Sequence, residues 1–165
     1  LSKRDIDIIE IASPLHDFGK IGISDSILNK PGKLTAEEWE IMQTHANIGH
    51  ELLNNSKREI LKAAAIIAGQ HHEKWDGSGY PFGIKGEAIA LSARLVAVAD
   101  VYDALVSQRT YKSGLSHEDA CRLIQEGAGT HFDPRVVNAF EARQDDFRRI
   151  AESMCEGKTH QGECG

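Results

Sequence analysis

Long apolar runs are missing from this chain: nothing in it approaches the ~20 consecutive apolar residues that cross a bilayer, so a membrane-spanning segment is excluded from the reading. Cysteine is scarce as well. The three present, Cys121, Cys155 and Cys164, make an odd number without a disulfide framework, and no secretory leader is visible, so a reducing, cytoplasmic setting is expected. Positive charge is also short. Nineteen Lys and Arg against 25 Asp and Glu give a formal net charge of -6, which argues against general binding to a nucleic-acid polymer or an anionic lipid surface. An anionic small molecule would then need a local basic cluster. Internal repeats, alternating strand patterns and hairpin turns between apolar runs are absent too, which leaves helix as the organising element.

What is present fits one core. A chain of 165 residues with 41% hydrophobic and 27% charged residues is expected to form a domain over 1–150, followed by a flexible polar tail over 151–165. Ser2 with Asp5, Thr35 with Glu38, Ser56 with Glu59 and Ser116 with Asp119 read as helix-capping pairs. Asp133-Pro134 opens another helix. In the helix after Thr35 the stripe Trp39, Met42, Ala46, Gly49, Leu53 recurs at alternating steps of three and four, with His45 flanking it. Leu91 to Val106, nearly continuous in apolar residues, reads as a central helix that carries Asp100 and Asp103. The stretch from Glu73 to Gly86, with four glycines and one proline, reads as a structured loop. The expected architecture is an all-α helical bundle.

The chemistry lies in the donors. His16-Asp17, His45, His71-His72 and Asp100 offer imidazole and carboxylate ligands, a set suited to iron, manganese or zinc, and no cysteine lies near these motifs. Adjacent helical side chains point ~100° apart, so His71 and His72 can serve neighbouring ions only near a helix end, where the pattern places them. Two solvated imidazoles are the competing reading. Asp100 inside an apolar helix needs a cation or a hydrogen-bond partner, with a buried salt bridge as the alternative. If the donors converge, two ions can share the Asp17 carboxylate and activate water for attack on a phosphoester. Lys20 is placed to contact a phosphate oxygen, and Arg109 and Lys112 to form the local anion cluster; solvated surface residues are the bland alternative for all three. Cys155, His160 and Cys164 match no closed four-ligand site.

The segments HDFGK, His45, HHEKWDGSGYP, AVADVYDALVSQRTYK and GTHFDP, in this order, resemble the HD-GYP family of the HD superfamily from about Ile6 to Phe140. That resemblance implies a helical domain with two or three divalent ions, iron or manganese foremost. It implies hydrolysis of cyclic di-GMP to pGpG and on to GMP by a metal-bridging hydroxide, as a cyclic-guanylate-specific phosphodiesterase. It assigns His16, Asp17, His45, His71, His72 and Asp100 to the metals, Lys20 to a place beside the nucleophile and scissile phosphate, and Arg109 and Lys112 to substrate phosphates. Gly79-Tyr80-Pro81 is the GYP triplet, in a loop associated with the substrate pocket and with partners such as a diguanylate cyclase. Tyr80 either stacks on a base or anchors that loop. Family members are usually fused to a receiver or sensor domain, as in two-component signalling.

One departure stands out. The family carries a further metal-binding His on a helix upstream of HD, and residues 1–15 contain none. A start at Leu1 inside a helical pattern suggests truncation of a longer polypeptide, with uncovered apolar surface and weaker metal binding as the expected consequences. A catalytically weakened binding or interaction module, and an HD phosphohydrolase acting on another cyclic dinucleotide or nucleotide, are the alternative functions.

Overall fold

The computed structural model describes residues 1–107 and 114–159, with side chains through 154. Among them are eight α-helices and no β-strand, so the all-α class predicted from the pattern is what forms. Arg109 and Lys112, the Cys155 side chain, His160 and Cys164 lie outside the described residues.

The chain divides into two compact units, Leu1–Ala97 and Val98–Gly165. In the first, α1 (Lys3–Ala12) opens with the predicted capping box: Ser2 Oγ accepts from Asp5 N, and the Asp5 carboxylate accepts from Ser2 N. A 3-10 turn over Ser13–Leu15, a second over Phe18–Gly22 and the short α2 (Asp25–Leu28) follow. Pro14, lacking an N–H, helps close the α1 ladder and tighten the chain into these turns. The Thr35–Glu38 box forms as predicted and starts α3 (Ala36–Asn54). Next comes α4 (Glu59–Gln70), whose start differs from expectation. Its flanking residue is Arg58, so Ser56 falls two positions too early for a box. Instead Ser56 Oγ accepts from Arg58 N at 3.2 Å, and Glu59 turns away to pair with Arg4 of α1.

The core of this unit is built from small residues. Ala12, Leu53, Ala64, Ala65, Ile67, Ala68 and Val96 form one buried cluster, with Leu15, Ile60, Leu61 and Ala63 packed against it. Alanines on α4 let neighbouring backbones approach closely. The tightest approach is made by Gly19, where a Cβ would stand 1.9 Å from the His45 carbonyl oxygen and 2.4 Å from Gly49 N. The second 3-10 turn therefore lies directly on the backbone of α3. That contact decides which part of the α3 stripe is buried: His45, Ala46, Gly49 and Leu53 are. Trp39, nearly two turns earlier, was expected in the stripe but is 49% exposed, whereas His45 lies within it.

In chain order, α5 (Leu91–Val106) has the bounds expected of the central helix and runs from the first unit into the second. Beyond it come α6 (His117–Glu126), α7 (Pro134–Glu141) and α8 (Gln144–Thr159), the last continuing past position 150. Ser116 caps α6 as predicted, and Asp133 caps α7 through Arg135 N at 2.9 Å. The second unit is centred on Ala120, Ile124, Val136, Val137 and Phe140, with the Tyr102, Phe140 and Phe147 rings in mutual contact. Tyr102 Oη lies 2.8 Å from His117 Nδ1.

Gly19→Ala forces a methyl group into main-chain atoms that cannot move independently. A loss of at least about 1–3 kcal/mol is expected, seen as a lower Tm in thermal denaturation; an unchanged Tm would mean that the turn does not bear on α3.

Candidate metal centre

Asp17 sits between the two 3-10 turns, with φ -95° and ψ 8°, so the HD pair projects from a tight bend at the end of the α1 segment. His45 enters from the middle of α3, and His71 is the residue that ends α4, with His72 immediately after it. At this helix end the two adjacent rings come together, their centroids 3.9 Å apart. One ligand atom from each of Asp17, His45, His71 and His72 falls within 4.8 Å of all the others.

Three imidazoles are oriented from behind by main-chain carbonyls. His16 Nδ1 donates to Ser13 O at 2.8 Å, His45 Nδ1 to Met42 O at 2.7 Å, and His71 Nδ1 faces both Ala68 O at 3.0 Å and Ile67 O at 3.1 Å. A carbonyl oxygen can only accept, so the proton of each neutral ring resides on Nδ1 and Nε2 carries a lone pair. These Nε2 atoms converge on one carboxylate. His16 Nε2 lies 3.5 Å from Asp17 Oδ2, while His45 and His71 Nε2 lie 3.5 and 3.9 Å from Oδ1.

Lone pairs facing a carboxylate repel it unless positive charge lies between them. At His45 the conflict is clearest: Nε2 is buried and makes no hydrogen bond, and burial depresses the imidazole pKa despite the opposing influence of Met42 O and Asp17. A neutral ring is thereby favoured over an imidazolium ion pair. Burial would raise the Asp17 carboxyl, but the hydrogen bond and the charge of Lys20 lead the opposing influences, which leave it below the ordinary carboxylate range. Neutral imidazoles held by a second layer of hydrogen bonds, around an ionised carboxylate, fit a divalent metal ion.

Lys20 donates to Asp17 Oδ2 at 2.5 Å, so this lysine is part of the site's charge balance. His16 joins the cluster through Asp17 and through its ring, 5.1 Å from that of His71. Asp100 is a half-buried residue of α5 within the second unit, whereas the four-donor group belongs wholly to the first.

Glu73 is a loop-holding residue that donor counting passed over. Its carboxylate, 2% exposed, accepts from Phe82 N at 2.6 Å and Gly83 N at 3.1 Å, drawing the far side of the glycine-rich loop back to the end of α4. Burial pushes its pKa up, against the lowering effect of the Phe82, Gly83 and Ile84 N–H groups. Gly79 makes the same fold-back possible: a Cβ there would lie 2.3 Å from Lys74 N and 2.6 Å from His72 O. Tyr80 is thus delivered onto His72, with ring centroids 4.8 Å apart and planes inclined by 27°. The available signal was the position of Glu73, a carboxylate following the histidine pair and preceding the loop.

The fold and donor cluster define a helical metal-binding domain. The chain belongs to the HD domain family, whose profile matches residues 1–136, and by its motifs to the HD-GYP branch. It is 52% identical over 156 residues to a cyclic di-GMP phosphodiesterase of Vibrio cholerae, covering 92% of this chain and 32% of the relative. A 3'3'-cGAMP-specific phosphodiesterase of the same organism is 47% identical over 154 residues, covering 93% of this chain and 30% of its own length. The chain therefore spans about a third of these relatives. Among solved structures, the crystal structure of the V. cholerae cyclic GMP-AMP-specific phosphodiesterase V-cGAP3 superposes with a TM-score of 0.65 at 23% identity, over 92% of this chain and 41% of that one. This last likeness concerns the fold. No helix among the described residues is long and apolar enough to cross a membrane.

Two outcomes are expected. A saturating divalent ion stabilises the domain by about 2.7 kcal/mol at a hundred times its Kd, and His45→Ala loses both bound metal in elemental analysis and that Tm increase. Glu73→Ala strands the Phe82 and Gly83 N–H groups at a cost of about 1–3 kcal/mol, while Glu73→Gln retains an acceptor and most of the stability. Equal Tm values for these two variants would refute the role of Glu73 as a loop clasp.

Proposed function

We propose that this domain hydrolyses cyclic di-GMP to linear pGpG, and onward to GMP, at a centre of two or three divalent ions, iron or manganese, held by His16, Asp17, His45, His71, His72 and Asp100. The observation that carries this reading is the convergence of carbonyl-braced Nε2 atoms on the Asp17 carboxylate. Membership of the HD family and the 52% identity to a cyclic di-GMP phosphodiesterase support the choice of reaction and substrate.

Divalent ions supply a nucleophile at neutral pH and neutralise charge on the phosphodiester. The protein's part is orientation and charge. The three braced rings present lone pairs without having to lose a proton, and Asp17 contributes the negative charge with two oxygens to share. Lys20, now on Asp17 Oδ2, would stand beside a phosphate bound at that carboxylate. Its ammonium would offset the charge that builds on the phosphoryl oxygens during attack. Hydrolysis joins a water oxygen to phosphorus, breaks one ring ester bond and returns a proton to the departing ribose oxygen, which opens the cycle. In the same reading Tyr80 stacks on a base or anchors its loop, and Arg109 and Lys112 contact substrate phosphates. The cytoplasmic setting, an upstream receiver or sensor domain and a diguanylate cyclase partner at the GYP loop belong to the same reading.

A second substrate is favoured by one observation, the 47% identity to a 3'3'-cGAMP-specific enzyme. The test presents both cyclic dinucleotides to the manganese- or iron-loaded protein and follows products chromatographically. Cyclic di-GMP is expected to give the higher kcat/KM, and Asp17→Ala to lose more than about a hundredfold, since even outer-layer changes at metal sites cost ~10–100-fold. Turnover of neither compound, or full activity in Asp17→Ala, would sink the proposal.

A further inference from the structure

An aromatic relay leads outward from the donor cluster and ends on a residue that sequence reading assigned to the core. The His45 and His72 rings lie 5.0 Å apart at 84°, His72 stacks on Tyr80 at 4.8 Å, and Tyr80 meets Trp39 edge to face at 6.5 Å and 82°. Tyr80 thus has one face against His72, whereas the Trp39 indole is 49% exposed. Scattered exposed hydrophobic residues are normal, but this one is held in place. It lies in the first turn of α3, where the Thr35–Glu38 capping box and the Lys30–Glu38 ion pair fix the helix start, and its own N–H bonds to Thr35 O at 2.9 Å.

We propose that Trp39 is a purine-stacking residue, whose open face receives a base of the cyclic dinucleotide while the phosphodiester lies at the donor cluster. This inference rests on the functional reading given above. Its charge surroundings favour a base over a phosphate: Glu37 and Glu40 flank Trp39 in sequence and disfavour an anion, while Glu38 is engaged with Lys30 and Thr35. The direction of the relay, from donors through His72 and Tyr80 to Trp39, follows that of a nucleotide from phosphate to base. Trp39 is accordingly a positioning residue for binding, distinct from the groups that act on the phosphate.

Base stacking on an aromatic ring is worth ~1–3 kcal/mol, which is roughly 5- to 150-fold in affinity. In metal-loaded protein, Trp39→Ala is expected to raise KM for cyclic di-GMP about tenfold while changing kcat by less than about twofold, with Trp39→Phe recovering most of the loss. Tryptophan emission gives a readout independent of turnover. GMP should quench the wild-type signal, and the quenching should disappear in Trp39→Phe, where Trp75 alone reports. Wild-type hydrolysis combined with an unchanged KM in Trp39→Ala, or with full quenching in Trp39→Phe, overturns this inference alone. Failure of the wild type to hydrolyse cyclic di-GMP overturns the functional reading and this inference with it.

Discussion

The hydrogen bond from a histidine Nδ1 to a main-chain carbonyl is the constraint on which the rest of the site depends. Made by His16 and His45, and matched by the carbonyls facing His71, it fixes the tautomer and aims Nε2 inward before any ion arrives. The fold supplies each acceptor locally, three or four residues before the ring it braces. Ser13 O comes from the turn that follows α1, Met42 O from α3, and Ile67 and Ala68 O from the last turn of α4. Close packing then brings the three segments together. Gly19 against the His45 carbonyl and the alanine-rich face of α4 set the separation of the rings more tightly than bulky core residues would permit.

The glycine-rich loop extends this logic from the donors to Tyr80. Glu73 and Gly79 fold it back over the end of α4, so that Tyr80 is packed onto His72. An ionisable carboxylate in such a buried position is costly. Two main-chain N–H donors offset that cost, and the gain is a loop whose aromatic side chain is positioned by the same helix end that carries two histidines. The donor cluster and the loop are therefore mechanically joined.

Much of the helix map was legible because caps and apolar periodicity are local signals. The boxes at Ser2 and Thr35 and the limits of α5 followed from them. The Ser56 box did not, because its residue types were right but the helix starts two positions later, at a point set by packing and by the Arg4–Glu59 pair. Trp39 illustrates the same limit: periodicity identifies which side of a helix is apolar, but the end of a helix loses its cover when its neighbours stop short. At the site, the four residues that the structure gathers, Asp17, His45, His71 and His72, are among those that residue types and motif resemblance name. The bracing carbonyls could not, since every residue has one and only the folded chain selects which are used.

That last point has an evolutionary consequence. Because the atoms that orient the histidines are carbonyl oxygens, Ser13 and Met42 serve through their main chain whatever their side chains, whereas Ile67 and Ala68 are held in addition by core packing. At the first two positions the centre is insulated from drift in its own supporting layer. Such bracing leaves the surroundings of the donors room to vary while the course of the backbone holds the rings in place.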